Sequence, residues 1–375
     1  MRILIDIGHP GHVHLYRNLI LKLKKKGNKV IVTVKDIPVA KKLLQKYKIE
    51  FIDIGKKKDA IIGKAFYQLM YNYKLFKLIK KNKIDIGIGT SITIAHLSRI
   101  SKMKSIIFDD DDDDVQPLFV KYGHPLADFI LSPDCLAGKR KKKDTIYYPG
   151  YHELAYLHPK RFSPNPEVLK EAGLSKKDTF FILRFNAFKA HHDKDVRGMS
   201  LENKIRLVKK LLKIGKVLIT TERETEPELK PYQIEIPHEK IHHFLAFATM
   251  FIGDSQTMTS EAAVLGTPAI RSNTLVGRIS YLEEQEKKYN LTYGFLPSQS
   301  EQMFEKIDEL LSLPNLKEEW QKRRNRMLED KIDVTAFMIW FLENYPESAK
   351  KMKENPNETK KRFHGVNPNY QYNFK

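Results

Sequence analysis

The stretch GDSQTMTSEAAVLGTPAIR, from Gly253 to Arg271, follows the apolar run MFI and so leaves the end of a buried strand. Gly253, Asp254 and Ser255 make a small-residue turn into a helix. Thr259 or Ser260 is placed to cap that helix, which puts Glu261 in its first turn. The break at Gly266 and Pro268 starts the next strand, and strand, polar turn, helix and strand together form a βαβ unit. A helix N-terminus turns free backbone N–H groups toward an anion, and small residues let a phosphate approach them. A carboxylate in the first turn can accept hydrogen bonds from a ribose diol. The competing reading is an ordinary capped helix in which Glu261 offsets the helix dipole.

Outward from this motif the pattern repeats. RILIDIG, KVIVTV, IEFIDIG, DIGIG, KSIIF, FILSP and TIYY are short β-rich runs in the N-terminal half, with helical stretches between them. FFILRF, KVLITTE, YQIEIP, MFIGD and PAIRS restart the series in the second half. Such alternation predicts parallel sheets covered on both faces. Tyr148-Pro149-Gly150, His158-Pro159 and Ser163-Pro164-Asn165-Pro166 break the composition between the halves and disfavour continuous helix. The expected fold is α/β, with two Rossmann-like doubly wound domains facing across a cleft. They span 1–155 and 156–345. A basic, polar, mobile or loosely docked tail follows at 346–375.

Composition sets the frame. The chain has 375 residues, 41% hydrophobic and 30% charged, with no apolar run as long as a membrane span. Asp6 interrupts the first apolar run, so no signal peptide is visible. The single cysteine, Cys135, excludes an intrachain disulfide and a multi-cysteine zinc site, and fits a cytoplasmic location. A formal net charge of +20 favours polyanionic partners: nucleic acid, an anionic membrane face or phosphorylated substrates. No helix-turn-helix, RRM-like or zinc-finger pattern supports nucleic acid.

In open parallel sheets ligands bind beyond the carboxyl ends of strands, so polar residues following strands are the candidates. After RILIDI come Gly8, His9, Gly11 and His12; the glycines permit a tight turn, and His12 is the candidate general base. His12 and His14 lie close in sequence, but no nearby run offers a third ligand, and no metal is assigned. After KSIIF comes the run Asp109 to Asp114. It reads as a solvated loop with one carboxylate turned inward, Asp109 or Asp110 being nearest the strand; a magnesium site for a diphosphate is the alternative. After FFILRF come Arg184, Asn186, Lys189, His191 and His192, donors suited to a diphosphate, or else partners of nearby acids. TTERE, Thr220 to Glu224, follows KVLI, with His238 further on.

With these motifs quoted, the chain resembles the GT-B superfamily of MurG-type N-acetylglucosaminyltransferases and non-hydrolysing UDP-N-acetylglucosamine 2-epimerases. More closely it resembles a family of predicted glycosyltransferases, from MRILIDIGHPGHVH through YPGYHELAYLHP and LRFNAFKAHH to GDSQTMTSEAAVLGTPAIR. The resemblance implies that Ser255, Gln256 and Thr257 form the phosphate-facing turn and that Glu261 holds the ribose, with Gly253 and Asp254 among the substrate-binding residues. It also implies that Gly11 and His12 match the end of the Gly-rich N-terminal turn, although His9 and Pro10 replace part of its glycine pattern. The arginine- and glutamate-based first-turn signatures of the epimerases are absent. The implied activity is transfer of a sugar, UDP-linked by preference, to a glycan or lipid-linked acceptor in surface-polysaccharide synthesis, with no cofactor. Arg184, His191 and the Ser255 turn would receive the diphosphate charge, and His12 or an Asp of the acidic run the acceptor proton. A nucleotide-sugar epimerase or hydrolase is the second reading, and a non-enzymatic polyanion or nucleic-acid binder the third. Phe66, Leu69, Met70, Tyr73 and Phe76 recur at helical spacing beside Lys74, Lys77, Lys80 and Lys81. This pattern fits either a core-facing helix or an interfacial one at the inner face of the plasma membrane.

Overall fold

Seven short runs of the N-terminal half form one parallel sheet. In chain order its strands are β1 (Arg2–Ile7), β2 (Lys29–Val34), β3 (Ile52–Asp53), β4 (Ile86–Ile88), β5 (Lys104–Phe108), β6 (Phe129–Pro133) and β7 (Thr145–Tyr148). The spatial order is β3-β2-β1-β4-β5-β6-β7. A second parallel sheet holds β8 (Phe180–Arg184), β9 (Lys216–Thr220), β10 (Met250–Gly253), β11 (Ala269–Ser272) and β12 (Thr292–Phe295), in the order β12-β11-β10-β8-β9. The structure is a computed structural model. It describes residues 1–55, 61–185, 198–221, 225–355 and 358–363, with the side chains of 61–67, 358 and 361 excepted.

The architecture is two doubly wound α/β units. The central strands bury both faces: Ile3, Leu4, Ile5 and Ile7 of β1, and Phe180 to Leu183 of β8, are without exposed surface. That is why these runs read as continuous apolar stretches rather than alternating ones.

Two expectations need correcting. YQIEIP is not a strand. Lys230–Tyr232 is a turn of 3-10 helix, and Gln233 makes only an isolated bridge to Ile219. Pro231 and Pro237 bracket the run and withhold the donors a ladder needs. The edge strand β12, TYGF, went unread.

The domain boundaries also differ from 156–345 and 346–375. Among the described residues, one compact unit comprises Met1–Tyr156 and the chain from Lys331 onward, and the other comprises Leu157–Asp330. The apolar helix Val334–Glu343 packs on the helix Pro10–Lys25 of the first unit. It buries Phe337, Met338, Phe341 and Leu342 completely, each worth about 1.5–3 kcal/mol of transfer free energy. Beyond residue 346 the chain forms the helices Glu347–Glu354 and Glu358–Phe363 rather than a loose tail up to that point. Ser348 Oγ donates to the Phe341 carbonyl at 2.5 Å, and the Phe363 ring lies 5.6 Å from Trp340.

Candidate active site

Each sheet reverses its strand order once, between β1 and β4 in the first and between β8 and β10 in the second. Such switch points are where doubly wound sheets hold ligands. Polar residues gather at both.

In the second unit, β8 and β10 run side by side with Arg184 opposite Gly253. A side chain at Gly253 would place its Cβ 2.3 Å from the Arg184 carbonyl oxygen, so this crossing requires glycine. The Asp254 N–H donates to the same oxygen at 3.1 Å. Ser255 then caps the helix Gln256–Leu265, its Oγ accepting from the Met258 N–H at 3.3 Å. The cap is therefore Ser255, not Thr259 or Ser260. Thr259 instead turns its hydroxyl back onto the Ser255 carbonyl, at 2.7 Å.

Glu261 accordingly sits in the second turn rather than the first, which contains no acidic residue. It is buried, and its Oε1 accepts from His242 Nε2 at 2.8 Å. His242, on the helix Ile241–Phe247, is a partner that sequence reasoning missed. Gln256 and Thr257 occupy the first turn beside the cap, and Arg184 is half-buried at the end of β8. Asn186, Lys189, His191 and His192 lie outside the described residues, as do Glu222 to Glu224.

In the first unit, Gly8 to His12 lead from β1 into the helix Pro10–Lys25. His9 caps that helix: its Nδ1 accepts from the Gly11 N–H at 3.1 Å, with Pro10 in the first helical position. His12 Nδ1 accepts from the Gly8 N–H at 3.3 Å. His14 is buried between the Tyr47 and Tyr156 rings, at 6.0 and 5.4 Å, and does not join His12.

The acidic run is not a solvated loop. Asp109 has no exposed surface, and Asp112 and Asp113 are also buried. Arg140, from the loop between β6 and β7, accounts for this. Its Nη1 lies 3.2 Å from Asp109 and 2.8 Å from Asp113, and its Nη2 donates to the Asp109 carbonyl at 2.6 Å. His124 Nε2 and Gln116 complete the Asp109 shell at 2.8 and 2.6 Å. Asp110 is left to another partner: its Oδ1 accepts from His152 Nδ1 at 3.0 Å. Asp111 is pushed up to about 8 by burial and by the neighbouring Asp110 and Asp109. Asp109, Asp110 and Asp111 each offer an oxygen within 4.8 Å of the others. Arg140 already gives Asp109 a counter-charge, and His124 gives it a hydrogen-bond partner.

The two imidazoles here titrate in opposite directions. Burial, helped by the positive neighbours His9, His152 and Lys35, pushes His12 down to about 3. His152 is raised despite its burial, because Asp110, Asp109 and Asp111 favour its charged form. His12 therefore works against stability in acid. Unfolded, it takes a proton near pH 6.5, and folded it takes none until about 3. Its share of stability is present above pH 6.5 and is lost as the pH falls through that window. Thermal unfolding between pH 7.5 and 4.5 is expected to show a shallower loss in His12→Asn than in wild type; parallel curves would contradict the assignment.

Residues 1–340 match the family described as "Protein of unknown function (DUF354)". MJ0665, an uncharacterised protein of Methanocaldococcus jannaschii, is 24% identical over 296 residues, which cover 76% of this chain and 85% of MJ0665. Among solved structures, the UDP-GlcNAc 2-epimerase of Neisseria meningitidis bound to UDP-GlcNAc aligns over 92% of this chain and 100% of its own. Its TM-score is 0.62, with 13% identity. MurG of Acinetobacter baumannii aligns over 91% and 98%, with a TM-score of 0.55 and 13% identity. At such identities the likeness is one of fold: the two Rossmann-like units of GT-B proteins.

Proposed function

We propose, from the premise that the chain belongs to the DUF354 family, that it is a glycosyltransferase using a nucleotide sugar. The second unit takes the nucleotide: the Ser255-capped helix start and the Gly253 crossing suit a diphosphate, and Glu261 suits the ribose diol. Arg184 and the helix dipole stabilise the leaving diphosphate, the task that preorganised donors perform best. The first unit supplies acid–base groups for an acceptor hydroxyl. The observation that carries this reading is that both switch points are chemically equipped, one for an anion and one for proton transfer.

Thermal stabilisation by a panel of nucleotides tests it. UDP, GDP and their sugars should stabilise the protein, by about 2.7 kcal/mol at a hundred times Kd, while ATP and DNA should not. UDP binding should be unchanged by EDTA, since cationic side chains take the place of magnesium; a loss restored by magnesium would return the acidic run to metal binding. The epimerase reading draws on the N. meningitidis likeness. Epimerisation needs no acceptor, so NMR of UDP-GlcNAc incubated with the protein alone distinguishes the two.

The acceptor reading extends to a membrane surface. Among the described residues no helix is long and apolar enough to cross a membrane. Yet the stripe on the helix Ile61–Asn82 is not its core face: Leu69 is 68%, Tyr73 59% and Met70 42% exposed and Phe76 is half-buried, while Tyr71, Leu75 and Ile79 are the buried residues. With Ile100 and Leu126, Leu69 and Tyr73 border a shallow groove of about 460 Å³. Arg99 is on its rim, and Lys77 lies 4.5 Å from the Tyr73 ring. An apolar floor with a cationic rim suits peripheral contact with the anionic inner face of the plasma membrane. Leu69→Asp with Tyr73→Asp should lower binding to phosphatidylglycerol vesicles about ten- to a hundredfold in sedimentation, and binding of wild type no better than the double variant would remove this location.

A further inference from the structure

We infer that His152, oriented by Asp110, is the general base of the transfer reaction, and that His12 acts as a hydrogen-bond donor beside it; this rests on the glycosyltransferase reading above. The tautomers follow from the partners. His12 Nδ1 accepts the Gly8 N–H, so the proton of the neutral ring is on Nε2, and a nitrogen that carries a proton cannot take one. His152 is arranged the other way. Its Nδ1 faces Asp110 Oδ1 at 3.0 Å, and an ionised carboxylate only accepts, so the proton is on Nδ1. That leaves the lone pair on Nε2, a buried nitrogen with no hydrogen-bond partner. A carboxylate holding one imidazole nitrogen so that the other is basic is the orientation that proton abstraction requires.

The surroundings reinforce this division. Asp109 is committed to Arg140, His124 and Gln116, and Asp113 to Arg140 and the Lys141 N–H. Asp110 is the carboxylate of the run that pairs with His152. Tyr16 and Tyr148, whose hydroxyls are buried, are pushed up by burial and by Asp110, and so stay neutral. The charged or titratable groups acting on His152 are Asp110, Asp109 and Asp111 beyond β5 and His12 beyond β1.

In the step itself, the acceptor oxygen bonds to the anomeric carbon as its proton passes to His152 Nε2. The bond from the anomeric carbon to the diphosphate breaks, and the nucleoside diphosphate leaves with the electron pair. Asp110 stays ionised and stabilises the imidazolium. The neutral His12 Nε2–H donates to an oxygen of the bound substrate. With water as surrogate acceptor the same balance describes donor hydrolysis, so UDP release from UDP-N-acetylglucosamine reports the base.

His152→Asn is the deciding variant, because its amide still donates to Asp110 while the basic nitrogen is gone. UDP release is expected to slow about 10²–10⁴-fold, with UDP affinity unchanged within about threefold. The acid limb of the wild-type pH profile, set above pH 6.5 by the raised His152, should vanish. Independently, ¹⁵N-histidine NMR of the intact protein should show His152 with the proton on Nδ1 at high pH, titrating above 6.5, and His12 neutral with the proton on Nε2. Asp110→Asn should lower the His152 transition. Wild-type turnover in His152→Asn, or a His12 ring protonated on Nδ1 that titrates near neutrality, overturns the inference while leaving the glycosyltransferase reading standing. A wild-type protein that turns over neither UDP-N-acetylglucosamine nor any nucleotide sugar of the panel removes that reading, and the role of His152 with it.

Discussion

Arg140→Met is expected to destabilise the first unit by about 3–5 kcal/mol, the cost of leaving buried charges without their partner. The guanidinium is without exposed surface, and it serves two carboxylates, two carbonyls and one hydroxyl at once. Methionine fills much of the volume and answers none of them. The two tryptophans make the measurement selective: Trp340 belongs to the first unit and Trp320 to the second. In urea the Trp340 signal, read in a Trp320→Phe background, should move to lower midpoint, and the Trp320 signal should stay. A loss below about 1 kcal/mol would place Arg140 among ordinary surface pairs.

Glu261→Ala should weaken UDP binding about ten- to a hundredfold, corresponding to a lost charge-assisted hydrogen bond of about 1.5–3 kcal/mol. The pairing with His242 complicates the variant, because removing the carboxylate also strips a buried imidazole nitrogen of its acceptor. His242→Phe separates the two effects. It removes the pair from the other side and keeps the carboxylate, so stability should fall while UDP affinity stays within about fivefold of wild type. Should Glu261→Ala bind UDP and GDP as wild type does, the nucleotide site has been misplaced. Should His242→Phe lose binding to the same extent, the Glu261–His242 pair matters for shape and not for contact with the ribose.

The strands were legible because they are buried on both faces, which leaves uninterrupted apolar runs. YQIEIP failed because alternation mimics a strand while prolines at 231 and 237 withhold donors. TYGF, β12, escaped because an edge strand has little apolar character to show. The apolar run at Val334–Glu343 carries no local pattern that states which sheet it will cover.

The candidate site was legible where a motif has fixed backbone demands, as at Gly253. It was not legible where the decisive partner comes from far along the chain. Arg140 sits in the basic run Lys139 to Lys143, which reads as solvated charge. His152 lies within YPGYHELAYLHP, a stretch noticed for its resemblance and not for its imidazole. The helix cap was misjudged because Ser255, Thr259 and Ser260 are all competent caps, and only backbone geometry selects among them.

The first unit's discontinuity bears on how the chain is made. Every residue of the second unit through Asp330 leaves the ribosome before Val334, while the first unit must wait for its last helices. The usual order of synthesis, in which the N-terminal domain matures first, is inverted here. During translation the nascent β1–β7 sheet carries an uncovered apolar strip on the helix Pro10–Lys25, waiting for Phe337 and its neighbours. A gene fragment ending at residue 330 would leave that strip exposed permanently, and one beginning at 157 would be the more soluble half.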